Sequence, residues 1–345
     1  MKFVHNPTPF SLDYFVTGDA RGGQHLTAVL SATFLLPAAG AYPHGPLQPA
    51  ARQKSVSRGE RFTAGPESSL LADQQAVLFR PGCDIALYGK ARTPGAVPLT
   101  EMETHLKVGS VEKRVRVYGD RVWKRRLVGL TPSAPEAFAE MPLVYERAYG
   151  GRSRYPRGQS GGLDTRNPVG IGYYESKRAA AGQPLPNLEN PGALIQRYTD
   201  RPFAAGYGLI SPSWPSRARY AGTFDSFWLA ERAPRYPRDI QPRFFQAAHP
   251  DLQTLNPLRG DEKVCLTGFS HEGTIQFNLP GLEFLCRCVF RSRRDAGAMA
   301  LDGLYFDTEA GTVELVYRAS FATQGNTQEF LGLHVVHSAD AESVA

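Results

Sequence analysis

The sequence predicts a mainly β protein: two antiparallel, sandwich-like β-rich lobes joined by a long Pro/Gly-rich, mostly irregular middle with few short helices. Three observations carry this prediction. Apolar and polar residues alternate at both ends of the chain, which is the period of a strand. Gly (34) and Pro (27) are abundant, and both interrupt helical ladders and mark bends. Sixteen of the 27 prolines fall between Pro132 and Pro257. The segments that follow are an N-terminal β lobe (1–131), an irregular segment packed on the lobes (132–257), a C-terminal β lobe (258–338) and a disordered tail (339–345).

Along the chain, Leu26, Ala28, Leu30, Ala32, Phe34 and Leu36 alternate with Thr27, Ser31 and Thr33, a strand expected to be buried chiefly on one side. Asp84 to Gly89 reads as a short strand closed by glycine. Leu106 to Gly129 reads as a hairpin that bends at Gly119 and Asp120. In the middle, Tyr145, Tyr149, Tyr173, Trp214, Phe224, Trp228, Phe244 and Phe245 argue for an ordered, packed connection. Two short helices are expected, at 174–181 and 191–198, the second with Asn190 as cap and Pro191 at its first position. Alternation returns at Val264 and Leu266, then at Ile275, Phe277 and Leu279. Further alternating runs cover 282–290, 313–321 and 330–337.

Apolar residues at 42% and charged residues at 21% exclude wholesale disorder. The formal charge of +6 permits an acidic partner without requiring one, and the 31 Arg against 8 Lys fit a GC-rich coding bias. Four cysteines, with no CxxC pair, predict a reducing compartment rather than a disulfide scaffold. Met1–Pro9 has no apolar core of a signal peptide. The uncharged stretch 22–51 is interrupted by Pro37, Pro43, Pro46 and Pro49, which predicts no membrane span.

No reactive constellation stands out. Cys286 and Cys288 share one face of a strand with Leu282 and Phe284 and read as core. His334 and His337 fall on opposite faces of a strand and lack the spacing of a helical zinc motif. Gly170-Ile-Gly172 lacks both the upstream strand and the third glycine of a dinucleotide loop. Neither a metal nor a cofactor is expected. The strongest electrostatic feature is Lys113, Arg114, Arg116, Arg121, Lys124, Arg125 and Arg126, with Tyr118 and Trp123 interleaved. Such a hairpin suits a partner protein or a phosphate backbone, and equally a plain solvated face whose aromatics cover the core. A second basic run, Arg147, Arg152, Arg154 and Arg157, surrounds the glycine-rich stretch 150–162, whose Gly150 and Gly151, like Gly170 and Gly172, read as backbone-fixed.

Eleven segments in order carry a resemblance: Leu26–Phe34, Cys83–Pro94, Val117–Trp123, Met141–Gly151, Asn167–Gly172, Leu185–Pro191, Ala221–Asp225 with Trp228, Pro237–Ile240 with Arg243–Gln246, Leu258–Glu262, Leu279–Gly281 and Val316–Ala319. The chain resembles a family of effector adaptors or chaperones encoded in type VI secretion clusters, long catalogued as a domain of unknown function. It departs from the pattern at Ser31, where a lysine is expected, and at Tyr317, where a tryptophan is.

The resemblance implies a non-enzymatic, cytoplasmic protein of a Gram-negative bacterium. Its implied partners are an effector with a PAAR-like portion and the VgrG spike, with neither membrane nor nucleic acid among them. The residues nominated for partner contact are Tyr145, Arg147, Trp214 and Trp228 in the middle segment, with Arg114, Arg116, Trp123 and Arg125 in the basic hairpin. A β-rich hydrolase or carbohydrate-active protein, and nucleic-acid binding through 113–126, are the alternatives.

Overall fold

The computed structural model describes residues 3–40, 45–155 and 160–339. The expected disordered tail, apart from Ala339, lies outside the described residues, as does Arg157. The strands of the three larger sheets and of one small hairpin are, in chain order, β1 (Phe3–His5), β2 (Ser11–Gly18), β3 (Gln24–Leu35), β4 (Asp84–Tyr88), β5 (Glu101–Val108), β6 (Val111–Tyr118), β7 (Trp123–Arg125), β8 (Leu130–Pro132), β9 (Leu188–Glu189), β10 (Lys263–Thr267), β11 (Ile275–Asn278), β12 (Phe284–Phe290), β13 (Arg294–Ala298), β14 (Ala300–Asp307), β15 (Thr312–Ala322) and β16 (Phe330–His337). Three short α-helices occur among the described residues: α1 (Lys177–Ala180), α2 (Pro215–Ala218) and α3 (Ser226–Glu231).

The largest sheet has the order β2-β3-β15-β14-β4. A second five-stranded sheet runs β9-β6-β5-β10-β11, and a four-stranded one runs β1-β16-β12-β13. Strands from before residue 131 and after residue 258 therefore pair directly, with β3 against β15 over eleven residue pairs from Leu35↔Thr312 to His25↔Ala322. The texture boundaries seen along the sequence mark where the chain changes character; in space its two ends share sheets and one core. Ring contacts show how the layers meet. Phe284 of the four-stranded sheet lies edge-on to Tyr317 of the largest sheet at 4.9 Å. Phe277 of the second sheet meets Phe306 of the largest at 6.5 Å. Leu30, Ile85, Leu106, Val115, Leu266, Cys286, Cys288, Leu315 and Leu333 fill the space between them, all fully buried. Burial lifts the Cys286 and Cys288 thiols to about 12, as expected of core cysteines.

Several local expectations are corrected. The strand at 26–36 is buried on both faces rather than chiefly on one, because residues 50–80 fold across its polar side. There Ser31 donates to Glu314 (2.8 Å), Gln53 bonds the backbone of Thr33, and Val29 packs with Val56 and Val316. The basic hairpin bends at Gly109, with φ +56°, rather than at Gly119 and Asp120. Chain beyond β6 instead forms the separate hairpin β7–β8. Of the expected helices, 174–181 shrinks to α1, capped by Ser176. The 191–198 helix does not form, because carboxylates capture its amides: Glu189 accepts from Ile195, and Asp200 accepts from Gln196 and Arg197.

The irregular parts of the chain are fastened to the largest sheet by buried charge. Arg318 on β15 pairs with Asp302 on β14 (2.5 Å) and donates to the carbonyls of Gln75 and Val77. Arg80 lies 3.7 Å from both Asp84 and Asp302 and donates to the Phe245 carbonyl (2.8 Å). Arg217 on α2 pairs with Asp73 (2.7 Å) and donates to the carbonyls of Phe244 and Ile210. Asp84 closes the set by accepting from the Ala247 amide at 2.7 Å. Each guanidinium thus satisfies both a carboxylate and backbone carbonyls that no sheet partner serves.

One carboxyl in this network is pH-sensitive. Full burial pushes Asp84 up to about 6 against the opposing pull of Arg80 and the Ala247 amide. Because that lies above the ordinary aspartate value of 3.8, the folded state holds the proton more tightly than the unfolded one. The associated stability is complete below pH 3.8 and is lost as pH rises through 6. Asp84→Asn abolishes this titration. Its stability relative to wild type is expected to rise by about 2 kcal/mol from pH 4 to pH 7 in urea denaturation, since a tenfold difference in proton affinity is worth about 1.4 kcal/mol.

Candidate functional site

The middle segment carries four of the residues nominated for partner contact, and its two glycine-containing motifs set the position of Tyr145 and Arg147. Asn167, buried, donates through Nδ2 to the carbonyls of Tyr145 (2.9 Å) and Tyr149 (3.1 Å). Its own carbonyl accepts from the Gly151 amide at 2.8 Å, and Ile171 returns a bond to the Ala148 carbonyl. Gly151 has φ +82°, and a Cβ there would sit 1.9 Å from the Gly170 carbonyl oxygen. These glycines are fixed by backbone proximity, in agreement with the sequence pattern, and the interlocked 145–151 and 167–172 segments form a rigid floor.

On that floor Tyr145 is 2% exposed, and its ring meets Trp214 edge-on at 5.2 Å. Burial holds its phenol above the usual range, so it stays protonated and donates to the Gly208 carbonyl. Trp214 is buried as well. Arg147 is at the surface, bonded to Asn187 (2.9 Å) and 3.5 Å from Asp120.

The seven basic residues of 113–126 do not share a face. Lys113 is buried against Asp251 at 2.6 Å, and desolvation pulls its ammonium below the usual range. Arg114 pairs with Glu103 (3.1 Å), while the Nε of Arg116 is buried without a partner. Arg121 pairs with the buried Glu189 and stacks 3.8 Å from the Tyr118 ring. Trp123 is 1% exposed. Of the two aromatics of the stretch, Trp123 is interior and the Tyr118 ring carries the Arg121 guanidinium. Arg125 stands apart on the β7–β8 hairpin with Lys124 and Arg126.

Trp228 belongs to a third place. Arg217, by donating to the Phe244 carbonyl (2.7 Å), closes the base of a loop over 218–243 that contains α3. Asp225 caps α3 by accepting from the Trp228 amide (2.7 Å), and Trp228 Nε1 donates to the Arg235 carbonyl (2.8 Å). Asp239 holds Thr223 through both its amide and its hydroxyl, and Arg232 reaches the Ala20 carbonyl at the β2–β3 turn. This ordered loop presents Phe224 (54% exposed), Phe227 (57%) and Leu229 (67%) to solvent, with Trp228 half-buried and edge-on to Phe224 at 4.7 Å. Sequence reasoning singles out Trp228 but misses Phe227 and Leu229. Asp225, three residues before Trp228, is a signal for the cap, but nothing in the apolar run says which way it faces.

The structure also has a cleft of about 920 Å³, between residues 52–61 and the sheet face around Leu87 and Phe306. Arg52, Arg58, Glu60, Arg61, Asp73 and Tyr145 are among its lining. Asp73 is committed to Arg217 and Glu314 to Ser31 and Gln75. The Glu60 carboxyl is held above its usual range by burial and by the nearby charge of Asp73.

Residues 21–318 match the model of a family described as an uncharacterized protein conserved in bacteria, DUF2169. The chain belongs to this family. The match takes in the interlocked glycine motifs, the cleft and the α3 loop of this DUF2169 protein, while β1, β2 and β16 of the core lie outside the matched residues. No curated protein and no solved structure matches the chain. No helix among the described residues is long and apolar enough to cross a membrane.

Two substitutions test the floor. Asn167→Ala removes two buried hydrogen bonds and is expected to cost about 2 kcal/mol in urea denaturation. Gly151→Ala adds an overlap with a carbonyl at a positive φ and is expected to cost more, about 4 kcal/mol or outright failure to fold.

Proposed function

We propose that this DUF2169 protein is a non-enzymatic adaptor or chaperone of type VI secretion, which binds an effector through the effector's PAAR-like part and helps seat it on the VgrG spike. The observation that carries the binding role is the α3 loop. An apolar trio of Phe224, Phe227 and Leu229 stands in water on a loop that Arg217, Arg232, Asp225 and Asp239 hold ordered. Ordered apolar side chains left in solvent offer a partner hydrophobic area at little further entropic cost. The type VI assignment rests on the eleven ordered segments of resemblance.

The test is co-expression with the effector, PAAR-like and VgrG proteins encoded beside the gene, followed by tag pull-down and size-exclusion chromatography with light scattering. The adaptor reading expects a complex with the effector. Phe227→Asp and Leu229→Asp should each weaken it at least tenfold while leaving the melting temperature within a few degrees of wild type, since exposed positions contribute little to folding. A folded protein that ignores all three neighbours overturns the reading.

One observation favours a second reading, a hydrolase or carbohydrate-active protein: two carboxyls, Glu60 and Asp73, line the same cleft. Turnover of a polysaccharide or ester that is abolished by Glu60→Gln would establish it. Absence of turnover across such a substrate panel, or activity unchanged in Glu60→Gln, removes the cleft from consideration as an active site.

A further inference from the structure

The β7–β8 hairpin plays no part in the α3 surface and is built unlike an ordinary solvent-facing turn. Its two strands pair from Trp123↔Pro132 to Arg125↔Leu130, and the turn closes with the Arg126 amide donating to the Gly129 carbonyl at 3.2 Å. Gly129 supplies the positive φ (+86°) that such a turn needs. Hairpin turns usually place Asn, Asp or Gly at the tip. Here the tip residues are Leu127 and Val128, exposed to 106% and 92%, so both side chains project wholly into solvent.

The base is rigid. Trp123 is buried at the root, where its amide donates to the Gln183 carbonyl and its carbonyl accepts from Gly182. Ser133 bonds back to the Val122 carbonyl on the other side. The tip is thus an ordered finger rather than a loose loop.

Charge sets what it can meet. Lys124, Arg125 and Arg126 surround the aliphatic tip, and residues 121–135 contain no Asp or Glu. Among the described residues none of these three cations lies within ion-pair distance of a carboxylate; Arg126 bonds only the Thr131 hydroxyl through Nε. The contrast with Lys113, Arg114 and Arg121, each matched to a carboxylate, is direct. A tip of two aliphatic side chains within a collar of three unmatched cations is complementary to an apolar socket rimmed by carboxylates.

We infer that the 123–132 hairpin is a plug that inserts Leu127 and Val128 into an acidic-rimmed apolar socket on a partner protein, a contact separate from the α3 surface. The tip is aliphatic and Trp123 is buried, so the finger offers no ring for stacking on nucleic-acid bases, which disfavours a single-stranded nucleic acid as occupant. The plug does not depend on the type VI reading, because it is a different element and needs only a protein of this chemistry.

The test places a photo-crosslinking amino acid at position 127 of the full chain in the bacterium that produces it, with position 255 as control, since Leu255 is 90% exposed. The expected result is an ultraviolet-dependent adduct at 127, not at 255, with one protein whose crosslinked peptide carries apolar residues beside Asp or Glu. That partner, purified, should bind the wild-type chain with an affinity that falls at least tenfold for Leu127→Asp and for the double variant Arg125→Glu with Arg126→Glu. Reversing the partner's carboxylates to lysine should restore binding to the double variant. Phe227→Asp, by contrast, should leave this contact intact, so failure of the α3 surface and failure of the plug are told apart. Equal labelling at 255, no adduct at 127, an adduct with lipid or nucleic acid, or affinity unchanged by the charge reversals would each overturn the inference.

Discussion

Three buried guanidinium groups decide how this chain can be both irregular and ordered. The stretch at 73–80 and the proline-rich segment 132–257 cannot satisfy their backbone by sheet ladders alone, and unsatisfied carbonyls inside a protein are costly. Arg80, Arg217 and Arg318 meet that need by pointing forked donors at the carbonyls of Gln75, Val77, Ile210, Phe244 and Phe245. Burying a cation alone would be prohibitive, so each is matched by Asp302, Asp84 or Asp73. The pairs reach from the central strands β14 and β15 outward to α2, and the order of the middle segment depends on them.

Much of the architecture was legible along the sequence, because alternation reports burial wherever one or both faces of a strand are apolar. The runs at 282–290 and 330–337 are of this kind: the second coincides with the observed β16, and the first holds β12, which begins two residues later at Phe284. Where polar side chains are buried the pattern misleads. Thr27, Ser31 and Thr33 look like a solvent face, but partners distant in sequence cover them: Ser320 for Thr27, Glu314 for Ser31 and Gln53 for Thr33. The absent helix at 191–198 failed for a related reason, since the carboxylates of Glu189 and Asp200 compete for its amides.

The nominated contact residues were less legible. Composition can say that a segment is aromatic and basic, but not which members face inward. Tyr145, Trp214 and Trp123 are interior, and Arg114 and Arg121 are matched by acids brought from elsewhere in the chain. Arg125 and Arg147 reach solvent, as do the trio around α3 and the aliphatic tip at 127–128, positions whose exposure follows from how the surrounding loops are tied down. The two exposed apolar elements stand on one chain whose irregular parts the buried ion pairs fasten to a common scaffold.

That claim of a fixed scaffold is tested most directly by amide hydrogen exchange on the wild-type chain and on Arg217→Met. The account predicts that removing this one guanidinium, which leaves Asp73 unpaired and the Ile210 and Phe244 carbonyls unserved, speeds exchange at least tenfold across 210–247 while β3 and β15 stay protected. Unchanged exchange across 210–247 would contradict it, by showing that the middle segment is held in place without the buried charges.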